Sequence, residues 1–177
     1  MLIRTRKIKS FGKYSFLEKG NYYFTKQLEI EEGVYIGPNA QLSANGGLRI
    51  KKGTIIGPNV TIYTSNHNFH SENMTTLPYD KETINKKVII NECCWIGGNV
   101  VVLPGTEIGF GSVIGGGETV RGIIPPYSIY VGGKVIGQRR NKEQCELLYE
   151  NQKIYMIEKM RKYENIYELW TKIFRRP

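Results

Sequence analysis

The sequence predicts a mainly β chain of one particular kind: a parallel β-helix of stacked triangular coils, with a long excursion loop and a helical C-terminal extension. Three observations predict it. Ile90, Ile96, Val102, Ile108, Ile114 and Val120 fall six residues apart. Four residues after the first four of these stand Cys94, Val100, Thr106 and Ser112, all small or β-branched. Gly97, Gly109 and Gly115 each follow an aliphatic position directly. A period of six fits neither an α-helix nor a simple strand, whose side chains repeat every 3.6 and 2 residues. It fits a chain that turns a corner every six residues and points one aliphatic side chain inward from each side. Three sides make a coil of about eighteen residues, and stacked coils pair as parallel strands about 4.8 Å apart.

Taken in order, residues 1–27 show no hexapeptide pattern. Tyr22, Tyr23 and Phe24 suggest a short strand or cap over the open end of the helix, whose first coil would otherwise expose an unpaired edge. The β-helix domain spans 28–137. Ile30, Ile36 and Leu42 keep the six-residue step; Asn45, Gly46 and Gly47 then add two residues and reset the phase. Ile50, Ile56 and Ile62 resume it. The glycine pair allows backbone angles closed to β-branched residues, so the insertion is expected to bulge at a corner. The period fails again over the loop 64–87. An excursion of this length from a tight solenoid is usually functional or disordered, and it carries both histidines of the chain, His67 and His70. The repeat returns from Val88 to Val120. Residues 138–177 form an extension in which Ile154, Ile157, Met160, Tyr163, Tyr167, Trp170 and Phe174 recur at three- or four-residue steps, a loose amphipathic helix over 141–174. It is expected to pack on the β-helix flank or on a neighbouring subunit. The alternative is a basic membrane-surface helix ending in Arg175 and Arg176.

Composition narrows the function. A chain of 177 residues is one domain with an appendage. No apolar run reaches the length that spans a bilayer, and the basic start lacks the apolar core of a signal peptide. Three cysteines, two of them adjacent, read as reduced thiols in a cytoplasmic protein; Cys94 sits at a small inward position and reads as packing. The net charge of +9 suits a phosphate-bearing ligand, an acidic polysaccharide or anionic headgroups as well as plain solubility. The charge is spread along the chain and no nucleic-acid-binding motif accompanies it, so no nucleic acid is expected as a partner.

The run WIGGNVVVLPGTEIG followed by GSVIGGGETV resembles the signature of the hexapeptide-repeat acyltransferases, over roughly residues 28–137. The similarity extends to the maltose and galactoside enzymes and to the sugar O-acetyltransferases of capsule and lipopolysaccharide. It implies a left-handed coil and a homotrimer with active sites between subunits. It also implies transfer of an acetyl group from acetyl-CoA to a hydroxyl of a sugar or envelope saccharide, without a metal.

Such a transfer needs a base for the acceptor hydroxyl and a donor for the thioester oxyanion. Histidine is the residue type suited to the first task, and YTSNH places His67 where the family has its catalytic histidine. Glu82 lies thirteen residues before Trp95, against twelve in the galactoside-type pattern, so Glu82 and Asp80 are rival carboxylates. Asn45, His70 and Asp80 are candidate acceptor contacts; at the position of Asn45 the galactoside enzymes hold an acceptor-binding acid. Trp95 matches the aromatic wall of the acyl-transfer tunnel, and the Gly98 N–H matches the family's thioester-oxygen donor, fixed before reaction. Gly116, within the Gly115–Gly117 run, would let the pantetheine arm lie close. Arg121 and Lys134 are candidate partners for CoA phosphates. Two departures bear on that half of the site: the family's Gly-Asn-Pro-Ala-Lys is reduced to Gly132, Gly133 and Lys134, and Glu118 stands where a small residue is common.

The alternatives are an N-acetyltransferase of an amino or nucleotide sugar, an antibiotic acetyltransferase, or a non-catalytic β-helix scaffold. A γ-type carbonic anhydrase needs three zinc-binding histidines and is set aside. The implied location is the cytoplasm, with the inner membrane face as the second placement.

Overall fold

The structure, a computed structural model, describes residues 8–174, with side chains described through residue 165. Three parallel sheets form the sides of a triangular prism. Face A stacks Ser10–Phe11, Leu28–Ile30, Leu48–Ile50, Val88–Ile90, Glu107–Ile108 and Ile123–Ile124. Face B stacks Phe16–Leu17, Tyr35–Ile36, Ile55–Ile56, Trp95–Ile96, Val113–Ile114 and Ser128–Val131, and closes with Lys134–Gln138 antiparallel to the last of these. Face C stacks Asn21–Tyr23, Gln41–Ser43, Thr61–Tyr63, Val101–Val102 and Thr119–Val120.

The six-residue period sets the register. Ile30, Ile50, Ile90, Ile108 and Ile124 stack on face A. Ile36, Ile56, Ile96, Ile114 and Tyr130 stack on face B, and Leu42, Ile62, Val102 and Val120 on face C. These side chains are buried and form one continuous core, each contributing about 1.5–3 kcal/mol by removal from water. Between faces A and B runs an inward column of small residues: Val34, Thr54, Cys94, Ser112 and Ser128. Their hydroxyls and thiol bind the backbone at the corner. Thr54 Oγ1 donates to the Asn91 carbonyl at 2.8 Å, Ser112 Oγ to Pro125 at 2.9 Å and Cys94 Sγ to Gly109 at 3.2 Å. Burial pushes the Cys94 thiol up to about 12.

The repeat starts earlier than the hexads suggest. Ser10–Phe11, Phe16–Leu17 and Asn21–Tyr23 pair in register with the coil that follows, so residues 10–23, expected as a cap, form a coil of their own. Its inward residues Ile8, Leu17 and Tyr22 are only partly buried. A terminal coil has one neighbour instead of two and tolerates uneven spacing. The insertion at Asn45–Gly47 does turn a corner: Gly47 takes φ +92°, and the Gly46 N–H donates to Thr64 Oγ1 at 2.7 Å.

The extension is two helices instead of the single helix expected over 141–174: α1, Lys142–Glu150, and α2, Tyr155–Phe174. Gln152, at φ +57°, breaks them. The Gln152 N–H donates to the Tyr149 carbonyl and the Lys153 N–H to Leu148, the paired bonds of a Schellman stop. Ile154 and Ile157 then pack over the bare corner at Gly33 and Gly53. Phe110 sits edge-on to both Tyr127 and Tyr149 and joins α1 to the same edge. The side chains of Tyr167, Trp170 and Phe174, and residues Arg175 and Arg176, lie outside the described part. No described helix is long and apolar enough to cross a membrane.

Candidate active site

Two clusters of candidate residues lie on two different edges of the prism. The first is at the edge between faces C and A. The excursion loop leaves here as a β-hairpin whose strands, Ser65–His67 and Thr83–Asn85, pair antiparallel with His67 opposite Thr83. A cavity of about 610 Å³ opens at its base, lined by Phe24, Asn45, Tyr63, Asn66, His67 and Thr83, with Ser65, Leu103 and Pro104 completing the wall. The structure therefore brings His67 and Asn45 together. Asn45 Nδ2 donates to Asn85 Oδ1 at 3.1 Å, tying the corner to the root of the hairpin. The His67 ring stacks on Tyr79, centroids 3.8 Å apart and planes 13° from parallel.

The other hairpin candidates are placed beside this cavity, outside its lining. Asp80 Oδ1 accepts the Glu82 N–H at 2.9 Å, and the Glu82 carbonyl accepts the Asn68 N–H at 3.1 Å. These bonds shape the loop. Among the described residues neither carboxylate pairs with His67. His70 is exposed, its N–H 3.4 Å from Asn68 Oδ1 and its ring at the edge of Phe69.

The second cluster lies at the edge between faces B and C. Trp95 opens the face B strand and is 57% exposed. The chain then turns through Gly97, Gly98 and Asn99. Gly97 has no room for a methyl group, because a Cβ there would stand 2.6 Å from the Gly116 nitrogen. Gly98 and Gly116 occupy the place that Pro38 and Pro58 hold in the two coils before them. At that place the N–H faces out of the ladder. Proline has none to lose, whereas the Gly98 and Gly116 N–H groups are present and donate to no described acceptor.

Glu118 follows from the last turn. Its column is small in the earlier coils (Ala40, Val60, Val100), but no further coil covers it here. Its two carboxylate oxygens accept the N–H groups of Gly132 and Gly133 at 2.7 and 2.9 Å. The two departures in the sequence are thus one device: the shortened Gly132–Gly133 turn, with φ +64° and +74°, is held by the unexpected glutamate. Lys134 opens the hairpin strand beyond this turn, and Arg121 is exposed beside the same end of the prism. Among the described residues no group of three or more His, Cys, Asp or Glu could hold a metal ion.

Sequence reasoning missed Tyr79, Phe24, Tyr63 and the wall at Leu103 and Pro104. Tyr79 lies in an aperiodic loop. Tyr63 and Leu103 share one outward register position on face C, a column visible in the sequence once the coils are aligned.

No family model matches the chain. A Staphylococcus aureus (strain MRSA252) protein named as an acetyltransferase is 39% identical over 127 residues, which is 68% of this chain and 60% of that protein. A galactoside O-acetyltransferase of Lactococcus lactis is 29% identical over 144 residues, 80% of this chain and 68% of that one. A hexapeptide-repeat acetyltransferase of Vibrio cholerae, solved with acetyl coenzyme A, superposes with a TM-score of 0.67 at 27% identity, covering 76% of this chain and 73% of that chain. The chain is similar to the hexapeptide-repeat acetyltransferases in sequence and in fold. It spans about 60% of the length of the staphylococcal relatives it matches. The likeness lies in the stacked coils of the hexapeptide repeat.

Proposed function

We propose that this protein is an acetyl-CoA-dependent O-acetyltransferase acting on a hydroxyl of a sugar or cell-envelope saccharide. The observation that carries this reading is the meeting of His67 and Asn45 in one cavity at the root of the hairpin. His67 takes the proton of the acceptor hydroxyl as that oxygen attacks the thioester carbonyl. The C–S bond then breaks and CoA leaves, with no covalent enzyme intermediate. A positioned base of this kind contributes about 10²–10⁴-fold. Gly98 N–H serves as the oxyanion donor, Trp95 and Gly116 line the acyl-donor path, and Arg121 and Lys134 meet the phosphates. Glu82 or Asp80 on the hairpin, and His70, serve the acceptor side.

The cavity lining carries no Asp, Glu, Lys or Arg; besides His67 it offers amides, hydroxyls and the rings of Phe24 and Tyr63. That suits a neutral pyranoside, whose hydroxyls bind amides and whose apolar face rests on an aromatic ring, better than the ammonium of an amino sugar. The Lactococcus relative is named for O-acetylation of galactosides, which are of the same class.

Face C separates the His67 edge from the Trp95–Gly98 edge. One copy therefore presents the acceptor half to the donor half of another, as a homotrimer with active sites between subunits. Phe69, Leu77, Tyr79 and Ile84 leave the hairpin apolar and exposed, Leu77 at 89%, as a neighbour's surface would require.

The test is calorimetric titration of acetyl-CoA, followed by free-thiol release with a panel of oligosaccharides and capsule fragments. One site per chain is expected, with turnover on a neutral saccharide that falls about 10²–10⁴-fold in His67→Ala. Absence of binding up to about millimolar acetyl-CoA, some four kcal/mol of affinity, would leave the scaffold reading in its place.

A further inference from the structure

The edge between faces B and C carries a ladder of asparagines that stops one rung short. Asn39, Asn59 and Asn99 stand at the same place in three successive coils, each in the left-handed region, at φ +61°, +58° and +59°. Asparagine tolerates that region better than most side chains. Asn39 Nδ2 donates to Asn59 Oδ1 at 3.2 Å, and Asn59 Nδ2 donates to Asn99 Oδ1 at 3.1 Å. The amides run in one direction, so the carboxamide nitrogen of Asn99 is the next donor in line. The place in the following coil that would accept from it is Gly117, at φ +76°, where an added Cβ would meet nothing within 4 Å. The ladder ends on an open slot.

The rest of the corner changes at the same point. The second and third coils read Gly-Pro-Asn (Gly37–Asn39, Gly57–Asn59); the fourth reads Gly-Gly-Asn and the fifth Gly-Gly-Gly. Proline side chains and the stacked amides cover the corner above. Below, the backbone is bare and shows the N–H groups of Gly98 and Gly116, which donate to no described acceptor. Amide nitrogen of Asn99 joins them. Three donors thus lie along a strip without side chains, on coils about 4.8 Å apart, next to the exposed Trp95. No acceptor side chain lies among them: Glu118, the nearest carboxylate in sequence, is engaged by Gly132 and Gly133. A strip of donors without acceptors or bulk fits an extended ligand that presents carbonyl oxygens.

We propose that the open end of the asparagine ladder is a binding contact for the acyl donor, with Asn99 Nδ2 donating to an amide carbonyl of the pantetheine arm that occupies the slot left by Gly117. This rests on the acetyl-CoA reading above. The ladder gives Asn99 its aim. Its oxygen accepts from Asn59 at 3.1 Å, which restrains the exposed carboxamide and leaves its nitrogen as the end donor of the ladder, so less ordering is needed on binding.

The test is acetyl-CoA affinity by calorimetry, with thermal melting on the same samples, for the wild type and three variants. Asn99→Ala removes the donor and is expected to weaken binding about five- to tenfold, the worth of one hydrogen bond. Gly117→Asn supplies the missing rung, satisfies Asn99 from within the chain and fills the slot. It is expected to melt no lower than the wild type and to lose affinity at least tenfold. Asn59→Ala breaks the ladder away from the slot and is expected to lower the melting temperature while changing affinity less than Asn99→Ala does. Wild-type affinity in both Asn99→Ala and Gly117→Asn would overturn the proposal and leave the acetyl-CoA reading standing. Equal weakening in Asn59→Ala and Asn99→Ala would also overturn it, by making the ladder a purely structural device. A wild type that does not bind acetyl-CoA would remove both.

Discussion

At Gly97 a hydrogen is the largest side chain the fold accepts. A Cβ there would lie 2.6 Å from the Gly116 nitrogen and 2.9 Å from the Gly115 carbonyl carbon, both backbone atoms that cannot swing aside. Gly97→Ala is expected to lower stability by about 1–3 kcal/mol, the usual cost of overpacking, read as a lower urea midpoint with an unchanged slope. The buried thiols give a second expectation. Burial is the main cause that pushes Cys93 up to about 11 and Cys94 up to about 12. In the folded chain these thiols keep their protons where the unfolded chain loses them. Their contribution is therefore fully present below pH 9, the ordinary thiol value, and is lost as pH rises through 11 to 12. The urea midpoint should fall as pH rises from 9 towards 11, and Cys94→Val, which copies Val34 of the same column, should flatten that fall. Legibility at this scale follows periodicity. His67 and Asn45 were readable because each interrupts a hexad at a corner. Tyr79 was not, because its meeting with His67 is made by a hairpin whose paired residues His67 and Thr83 lie sixteen residues apart and carry no repeat. Asp80 and Glu82 stand on the same hairpin, where Asp80 Oδ1 accepts the Glu82 N–H and both lie outside the cavity lining.

The coils were legible as elements because burial repeats. An aliphatic side chain every sixth residue has one meaning when each is fully enclosed. The first coil was not legible for the converse reason: Ile8, Leu17 and Tyr22 are only half enclosed, so burial does not enforce their spacing. The helical extension was legible in its apolar face and not in its break. Leu148 to Ile154 carries no proline or glycine, and the stop is made by Gln152 in the left-handed region, a conformation that glycine would have announced. The break lets Ile154 and Ile157 reach the bare corner at Gly33 and Gly53. Ile157 is fully buried there, its Cγ1 occupying the space in which a Cβ on Gly33 would stand at 2.7 Å. Ile157→Ala is expected to cost about 2–5 kcal/mol and to release α2 first. Hydrogen exchange should show α2 amides losing protection while those of faces A, B and C keep theirs. A uniform loss across the chain would mean that helix and prism unfold as one unit.

For the whole molecule the decisive feature is that the two candidate clusters lie on different edges. The half proposed for the acceptor, with His67 and Asn45, lies between faces C and A; the half proposed for the donor, with Trp95, Gly98 and Gly116, lies between faces B and C. If each working site joins the first half of one copy to the second half of another, two inactive variants can repair each other. His67→Ala leaves the donor edge intact. Gly116→Leu places a side chain on the bare strip, where a Cβ meets no more than the Gly98 carbonyl oxygen at 3.3 Å, and leaves the acceptor edge intact. Each alone should be nearly inactive. Unfolded together in equal amounts and refolded, they assemble hybrids in which a given interface receives both sound halves with a chance of about one in four, as expected for a closed ring of heterologous contacts. Recovery of about a quarter of wild-type turnover in the mixture, tracking the trimer peak in sedimentation, is the expected result. No recovery, with both variants shown to co-assemble, would place both halves of the site within one chain. Face C would then have to be bridged by the hairpin itself, folding over from His67 to the Gly98 strip.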